Sequence, residues 1–197
     1  MPSTLSKLHE AAATGSVGGT IAVLFRGSVD IDGGCGDAGR TPLLVAAEEG
    51  YLRVVRVLLK HGANVLVADD DGTTALHISI GCRHLAVSKG LIKVRADLEA
   101  RIGKYRADGI YGTPLHVAAR KGYYKGMVVL IDAGANEDSK LESGQTPLYI
   151  SARRGRLEDV KVLLRAKAHP LLPAHKSYLP IDVAAQNGHL EVVRELV

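Results

Sequence analysis

The chain has no tryptophan, one phenylalanine and only 4% aromatic residues in 197, which excludes a large aromatic-lined pocket as its organising feature. Cysteine is scarce as well. Cys35 and Cys82 stand far apart, and neither forms a pair with metal-ligand spacing. That rules against a disulfide framework and suits a reducing compartment. No apolar run approaches the roughly 20 residues that cross a bilayer. The segment Met1-Pro2-Ser3-Thr4-Leu5-Ser6-Lys7 lacks the apolar core of a secretory signal. The expected location is therefore cytoplasmic or nuclear, with no membrane span.

Motifs for chemistry are missing too. There is no Gly-rich phosphate loop, Cys-x-x-Cys pair, His-Glu-x-x-His or nucleophile elbow. Cys82-Arg83-His84 sets a thiol near an imidazole, but without a second ligand pair it reads as part of the fold. No catalytic residue, cofactor, metal or small-molecule substrate is expected.

What the chain does have is repetition. The phrases Arg40-Thr41-Pro42-Leu43-Leu44-Val45-Ala46-Ala47, Thr73-Thr74-Ala75-Leu76-His77-Ile78-Ser79, Gly112-Thr113-Pro114-Leu115-His116-Val117-Ala118-Ala119 and Gln145-Thr146-Pro147-Leu148-Tyr149-Ile150-Ser151-Ala152 share one pattern. Thr41, Thr74, Thr113 and Thr146 follow one another at 33, 39 and 33 residues. Leu179-Pro180-Ile181-Asp182-Val183-Ala184-Ala185 lies a further 33 along, and a degenerate copy, Ser6-Lys7-Leu8-His9-Glu10-Ala11-Ala12, begins 35 before the first.

Each unit reads mechanically. Thr41 caps a helix and Pro42 occupies its first position, where the missing N–H costs nothing. Leu43, Ala46 and Ala47 share one face, and the small alanines let a second helix lie close. Gly50 ends the first helix. A second helix, Leu52 to Lys60, buries Val54, Val55, Leu58 and Leu59 and stops at Gly62-Ala63. Asp70-Asp71-Gly72 carries the turn signal of a projecting hairpin.

This Thr-Pro-Leu-His-x-Ala-Ala, Gly, Leu-Leu-x-x-Gly-Ala arrangement on a 33-residue period resembles the ankyrin repeat, over roughly residues 5 to 197. The resemblance implies an all-α repeat solenoid, in which stacked helix-turn-helix units carry projecting β-hairpin or loop fingers. The array divides into a degenerate unit 5–38, units 39–71, 72–110 (with an elongated finger), 111–143 and 144–176, and an incomplete unit 177–197. It also implies structural roles for Thr41, Pro42, Thr74, His77, Thr113, Pro114, His116, Thr146 and Pro147, with His77 and His116 tying neighbouring loops together. Because the last unit stops mid-pattern, the chain reads as a fragment of a longer array; otherwise something packs on the apolar face at Val192, Val193 and Leu196.

Several positions break the pattern. Arg83, Arg95 and Lys167 stand where other units place the helix-ending glycines, which requires left-handed backbone at non-glycine residues. Gly90 lies inside a helix, Ser88 holds an apolar position, and Gly126 replaces the valine found at Val54. The unit containing Arg83 and Arg95 is expected to be the least stable link, with fastest internal amide exchange over residues 80–105.

In a repeat array the shared positions hold the stack, so function belongs to the positions that differ. The two residues before the helix-ending glycine position run Glu48-Glu49, Gly81-Cys82, Arg120-Lys121, Arg153-Arg154 and Gln186-Asn187. The early linkers are acidic, with Asp30, Asp32 and Asp37 and then Asp69-Asp70-Asp71, whereas the long one carries Arg101, Lys104 and Arg106 around Tyr105. A net charge of +4 makes this a divided surface rather than a uniformly basic one. Tyrosine and arginine favour interface hot spots. The leading reading is a non-catalytic protein-interaction module, a scaffold or adaptor. Its groove at Arg101, Lys104, Tyr105, Arg106, Arg120, Lys121, Tyr123, Arg153, Arg154 and Arg156 would bind another protein through an acidic segment. The bland alternative is an ordinary solvated face. Two other readings stay open: a recognition array for a larger enzyme or signalling protein whose catalytic domain lies beyond Val197, and anionic-lipid or nucleic-acid binding. Asp108, Asp132, Glu137, Asp138 and Glu142, interleaved with the basic residues, weigh against the last.

Overall fold

The computed structural model describes residues 3–26, 29–36, 38–103, 111–174 and 177–197. It divides into two compact units, Met1–Asp97 and Leu98–Val197.

The first unit holds α1 (Thr4–Ala13), α2 (Val17–Phe25), α3 (Pro42–Glu48), α4 (Leu52–Lys60), α5 (Ala75–Gly81) and α6 (Leu85–Lys93). Helices α1, α3 and α5 pack side by side in one layer, α2, α4 and α6 in the other, and each odd helix pairs with the even one that follows it. Leu8, Ala12, Leu43, Leu44, Ala46, Ala47, Val54, Val55 and Leu58 fill the seam between the layers. The second unit repeats the plan with α7 (Pro114–Lys121), α8 (Tyr124–Asp132), α9 (Pro147–Arg153), α10 (Leu157–Arg165), α11 (Pro180–Gln186) and α12 (Leu190–Leu196). There α7, α9 and α11 form one layer and α8, α10 and α12 the other.

Sequence dictates where each helix starts. Thr41 Oγ1 accepts from Leu44 N–H (3.4 Å) and Thr146 Oγ1 from Tyr149 N–H (3.1 Å). At α5 and α7 the cap is reciprocal. His77 Nδ1 and His116 Nδ1 each accept the N–H of the capping threonine at 3.3 Å, and the threonine hydroxyls lie 2.9 and 2.8 Å from the same nitrogens. At α11 the carboxylate of Asp182 takes over, accepting Leu179 N–H at 2.8 Å.

The breaks in the pattern behave as their chemistry requires. Arg83, Arg95 and Lys167 adopt φ of 63°, 64° and 70°, the left-handed conformation that their glycine counterparts reach without strain. Ser88 is fully buried, but its hydroxyl meets that of Ser79 at 2.9 Å and donates to the His84 carbonyl at 3.1 Å. The polar group in an apolar position therefore has partners, and that expected weakness is offset. Gly90 sits where α6 packs on α4, and a methyl group there would press on Leu52 at 3.1 Å.

Among the described residues, three projecting fingers each carry an antiparallel bridge, Cys35 with Arg40, Ala68 with Thr74 and Ile102 with Gly112. Buried Asp69 closes the second of these turns, its Oδ1 accepting the N–H groups of Asp71 (3.1 Å) and Thr73 (2.8 Å).

Candidate interaction surface

Several acidic side chains of the first unit are engaged in holding the fold. Arg40 binds Glu48 at 2.7 Å and the buried Asp69 carboxylate at 3.3 Å. Asp32 accepts Asn64 N–H through both oxygens at 3.0 and 3.1 Å. The same device recurs in the second unit, where Glu99 accepts Asn136 N–H and Asp138 accepts His169 N–H, both at 2.8 Å. One repeat's carboxylate thus ties down the loop amide of the next repeat. Asp37 lies outside the described residues.

A second strap runs along each unit. The side chain one residue beyond the helix-ending glycine position reaches back over the preceding repeat's glycine. A methyl group at Gly15, Gly50, Gly122 or Gly155 would overlap Tyr51, His84, Arg156 or His189 respectively. His84 Nε2 lies 2.8 Å from the Glu48 carbonyl, and His189 Nε2 lies 3.1 Å from that of Arg153. His9 performs a related task at the first repeat, its Nε2 2.7 Å from the Arg40 carbonyl. Sequence reading missed these straps. A hydrogen-bonding or aromatic residue recurring right after the glycine position was the signal available.

The basic residues of the second unit fall into distinct environments. Arg120 and Lys121 occupy the last turn of α7 and Arg153 the last turn of α9, where cations complement the helix dipole. Helices α7 and α9 are neighbours in one layer. Between them Arg120, Gln145, Ile150, Arg153 and Arg154 line a depression of about 250 Å³. The Arg120 guanidinium lies over the Tyr111 ring, 4.2 Å from its centroid, a cation–π contact that restrains the side chain. Its Nε is buried and, among the described residues, has no hydrogen-bond acceptor. Such a donor leaves about 1–3 kcal/mol of desolvation uncompensated. Burial, then the like charges of Arg120, Arg156 and Arg153, hold Arg154 below the usual arginine range.

The remaining expected residues divide. Arg156 lies over Gly122 as a strap, and Arg101 donates to the Lys140 carbonyl at 2.9 Å. Tyr123 is only 7% exposed and Tyr149 8%. Both rings are therefore largely buried, and little of Tyr123 is presented at the surface. Lys104, Tyr105 and Arg106 lie outside the described residues, as does Asp108.

His116 is buried in the same unit. Its Nε2 faces the Gln145 carbonyl at 3.3 Å while Nδ1 accepts from Thr113, so the neutral tautomer protonated at Nε2 fits the site. Burial, aided by Arg101 and Arg120, lowers its pKa to about 4. Cys35 and Cys82 are exposed and stand outside any disulfide. Among the described residues no group of three or more His, Cys, Asp or Glu is placed to hold a metal ion, and no helix is long and apolar enough to cross a membrane.

Residues 8–102 and 115–197 match the model of a family described as ankyrin repeats in three copies. The chain belongs to the ankyrin-repeat family. An ankyrin repeat domain from Acinetobacter baumannii AYE, known from its crystal structure, superposes with a TM-score of 0.82 at 25% identity, covering 96% of this chain and 95% of that one. The fold is an all-α repeat solenoid. Among curated proteins, the B-cell lymphoma 3 protein homolog of Mus musculus is 39% identical over 93 residues, 47% of this chain and 20% of that protein. The transient receptor potential cation channel subfamily A member 1 homolog of Caenorhabditis elegans is 31% identical over 100 residues, 51% of this chain and 8% of that protein. Potassium channel AKT2/3 of Arabidopsis thaliana is 34% identical over 108 residues, 55% of this chain and 12% of that protein. The chain spans a fifth or less of these relatives. Ankyrin repeats are generally protein-interaction modules.

Proposed function

We propose that this ankyrin array is a non-catalytic scaffold or adaptor that binds an acidic segment of another protein along α7 and α9. The observation that carries the reading is the convergence of Arg120, Arg153 and Arg154 on one depression, with a buried donor lacking an acceptor and guanidiniums repelling one another. The negative charge of an acidic segment offsets that repulsion and supplies acceptor oxygens. The acidic residues of the first unit described above serve internal bonds instead, which leaves the arginines of the second as the stronger lever for recognition. Intracellular placement, and the array's acting within a longer signalling protein, fit the same reading.

The test is affinity capture from cells with the wild-type protein and with Arg120, Lys121, Arg153 and Arg154 all changed to Glu. Proteins recovered by the wild type are expected to be lost with the variant while its far-UV circular dichroism stays unchanged. Unchanged recovery would sink the idea. Salt-sensitive binding of heparin or RNA through the same residues would favour the polyanion alternative.

A further inference from the structure

The charge of this surface is concentrated, and the concentration has a stoichiometry. Three arginines, Arg120, Arg153 and Arg154, border the depression together with Gln145. A fourth, Arg156, acts on Arg154 electrostatically. A single carboxylate brings one negative charge and two oxygens, too little to answer this set. A phosphoryl group brings about −1.5 to −2 charges and three strong acceptor oxygens.

The donors also have the matching shape. Each guanidinium is a planar fork suited to two parallel bonds with a tetrahedral oxyanion, which an ammonium cannot copy. The Arg120 guanidinium carbon sits over the Tyr111 ring, and its buried Nε–H has no acceptor among the described residues, so part of the ordering cost of binding is met before any ligand arrives. Ile150 supplies an apolar wall for the methylene that links a phosphate to its backbone.

We propose that the depression between α7 and α9 is a subsite for a phosphorylated side chain of the partner, so that phosphorylation of the partner strengthens its capture. The inference rests on the reading of this surface as the partner-binding face and adds the chemical identity of the anion.

The test uses the full chain and two small probes, N-acetyl-phosphoserine amide and N-acetyl-glutamate amide, at matched ionic strength. Binding is followed through the Nε–Hε NMR signals of Arg120 and Arg154. Saturable shifts are expected, with phosphoserine binding at least ~10-fold more tightly than glutamate, since charge-assisted bonds to a dianion are the stronger. Arg154→Lys keeps the charge but not the fork, and should bring phosphoserine close to the affinity of glutamate. Arg153→Lys is the second variant, should the first disturb the fold. Equal affinities for the two probes would overturn the phosphate assignment and leave the acidic-partner reading standing. Absence of any saturable shift overturns the subsite itself, while the charge-reversal capture still decides the wider surface. Shifts reproduced by vesicles containing phosphoinositide, with no preference for the phosphoserine probe, would assign the surface to lipid and overturn the proposal.

Discussion

Lowering the pH from 7 to 5 should destabilise the second unit through His116. In the folded state its Nδ1 accepts from Thr113 and its Nε2 faces the Gln145 carbonyl, so adding a proton removes a cap acceptor and buries a charge beside Arg101 and Arg120. Its pKa falls from an ordinary 6.5 to about 4. Between those values the unfolded chain binds the proton and the folded chain does not, so stability rises with pH across this window and is lost as pH falls. The loss is about 2 kcal/mol between pH 7 and 5, reaching about 3 kcal/mol once both states are protonated. Denaturant unfolding at pH 7, 6 and 5, for the wild type and for His116→Gln, isolates this contribution because every other titrating group is common to both. The variant is expected to be less stable at pH 7, having lost the cap, with the gap narrowing by about 2 kcal/mol at pH 5. A gap that stays constant with pH, or a His116 imidazole that titrates near 6.5 by NMR, would refute the reasoning.

Three further outcomes follow from local geometry. Replacing Arg95 or Lys167 with Gly should raise stability by about 1 kcal/mol each, read as a later unfolding midpoint, because both residues hold positive φ. Ser151→Ala should also stabilise, by about 1 kcal/mol, since the Ser151 hydroxyl is fully buried with no hydrogen-bond partner among the described residues. Gly155→Ala should cost about 2 kcal/mol or more in the same assay, because it combines φ of 66° with overlap against His189; a neutral result would contradict the strap.

Most of the fold was legible because its causes are local and repeated. The threonine caps, the prolines at the first helical turn and the small alanines between layers recur in register, and the left-handed backbone of Arg83, Arg95 and Lys167 could be read from the glycines they replace. The site was less legible. Burial of Tyr123 and Tyr149 depends on how neighbouring helices stack, which composition does not reveal. The roles of Asp32, Glu99 and Asp138 depend on loop amides about one repeat away in sequence, a pairing that local pattern does not display. Convergence of Arg120 with Arg153 and Arg154 required α7 and α9 to lie side by side. The repeat spacing implies that adjacency, but the sequence leaves open how deep the arginines sit between them.

The α7 and α9 layer of the second unit is the face we propose for the partner. Its most direct test is an NMR map of backbone amides and arginine Nε–Hε groups as an acidic segment of a captured partner is added. The largest perturbations should fall on Arg120, Gln145, Ile150, Arg153 and Arg154, and they should weaken as salt is raised. Perturbations confined to the opposite layer, α8 and α10, with those five residues unmoved, would contradict the account.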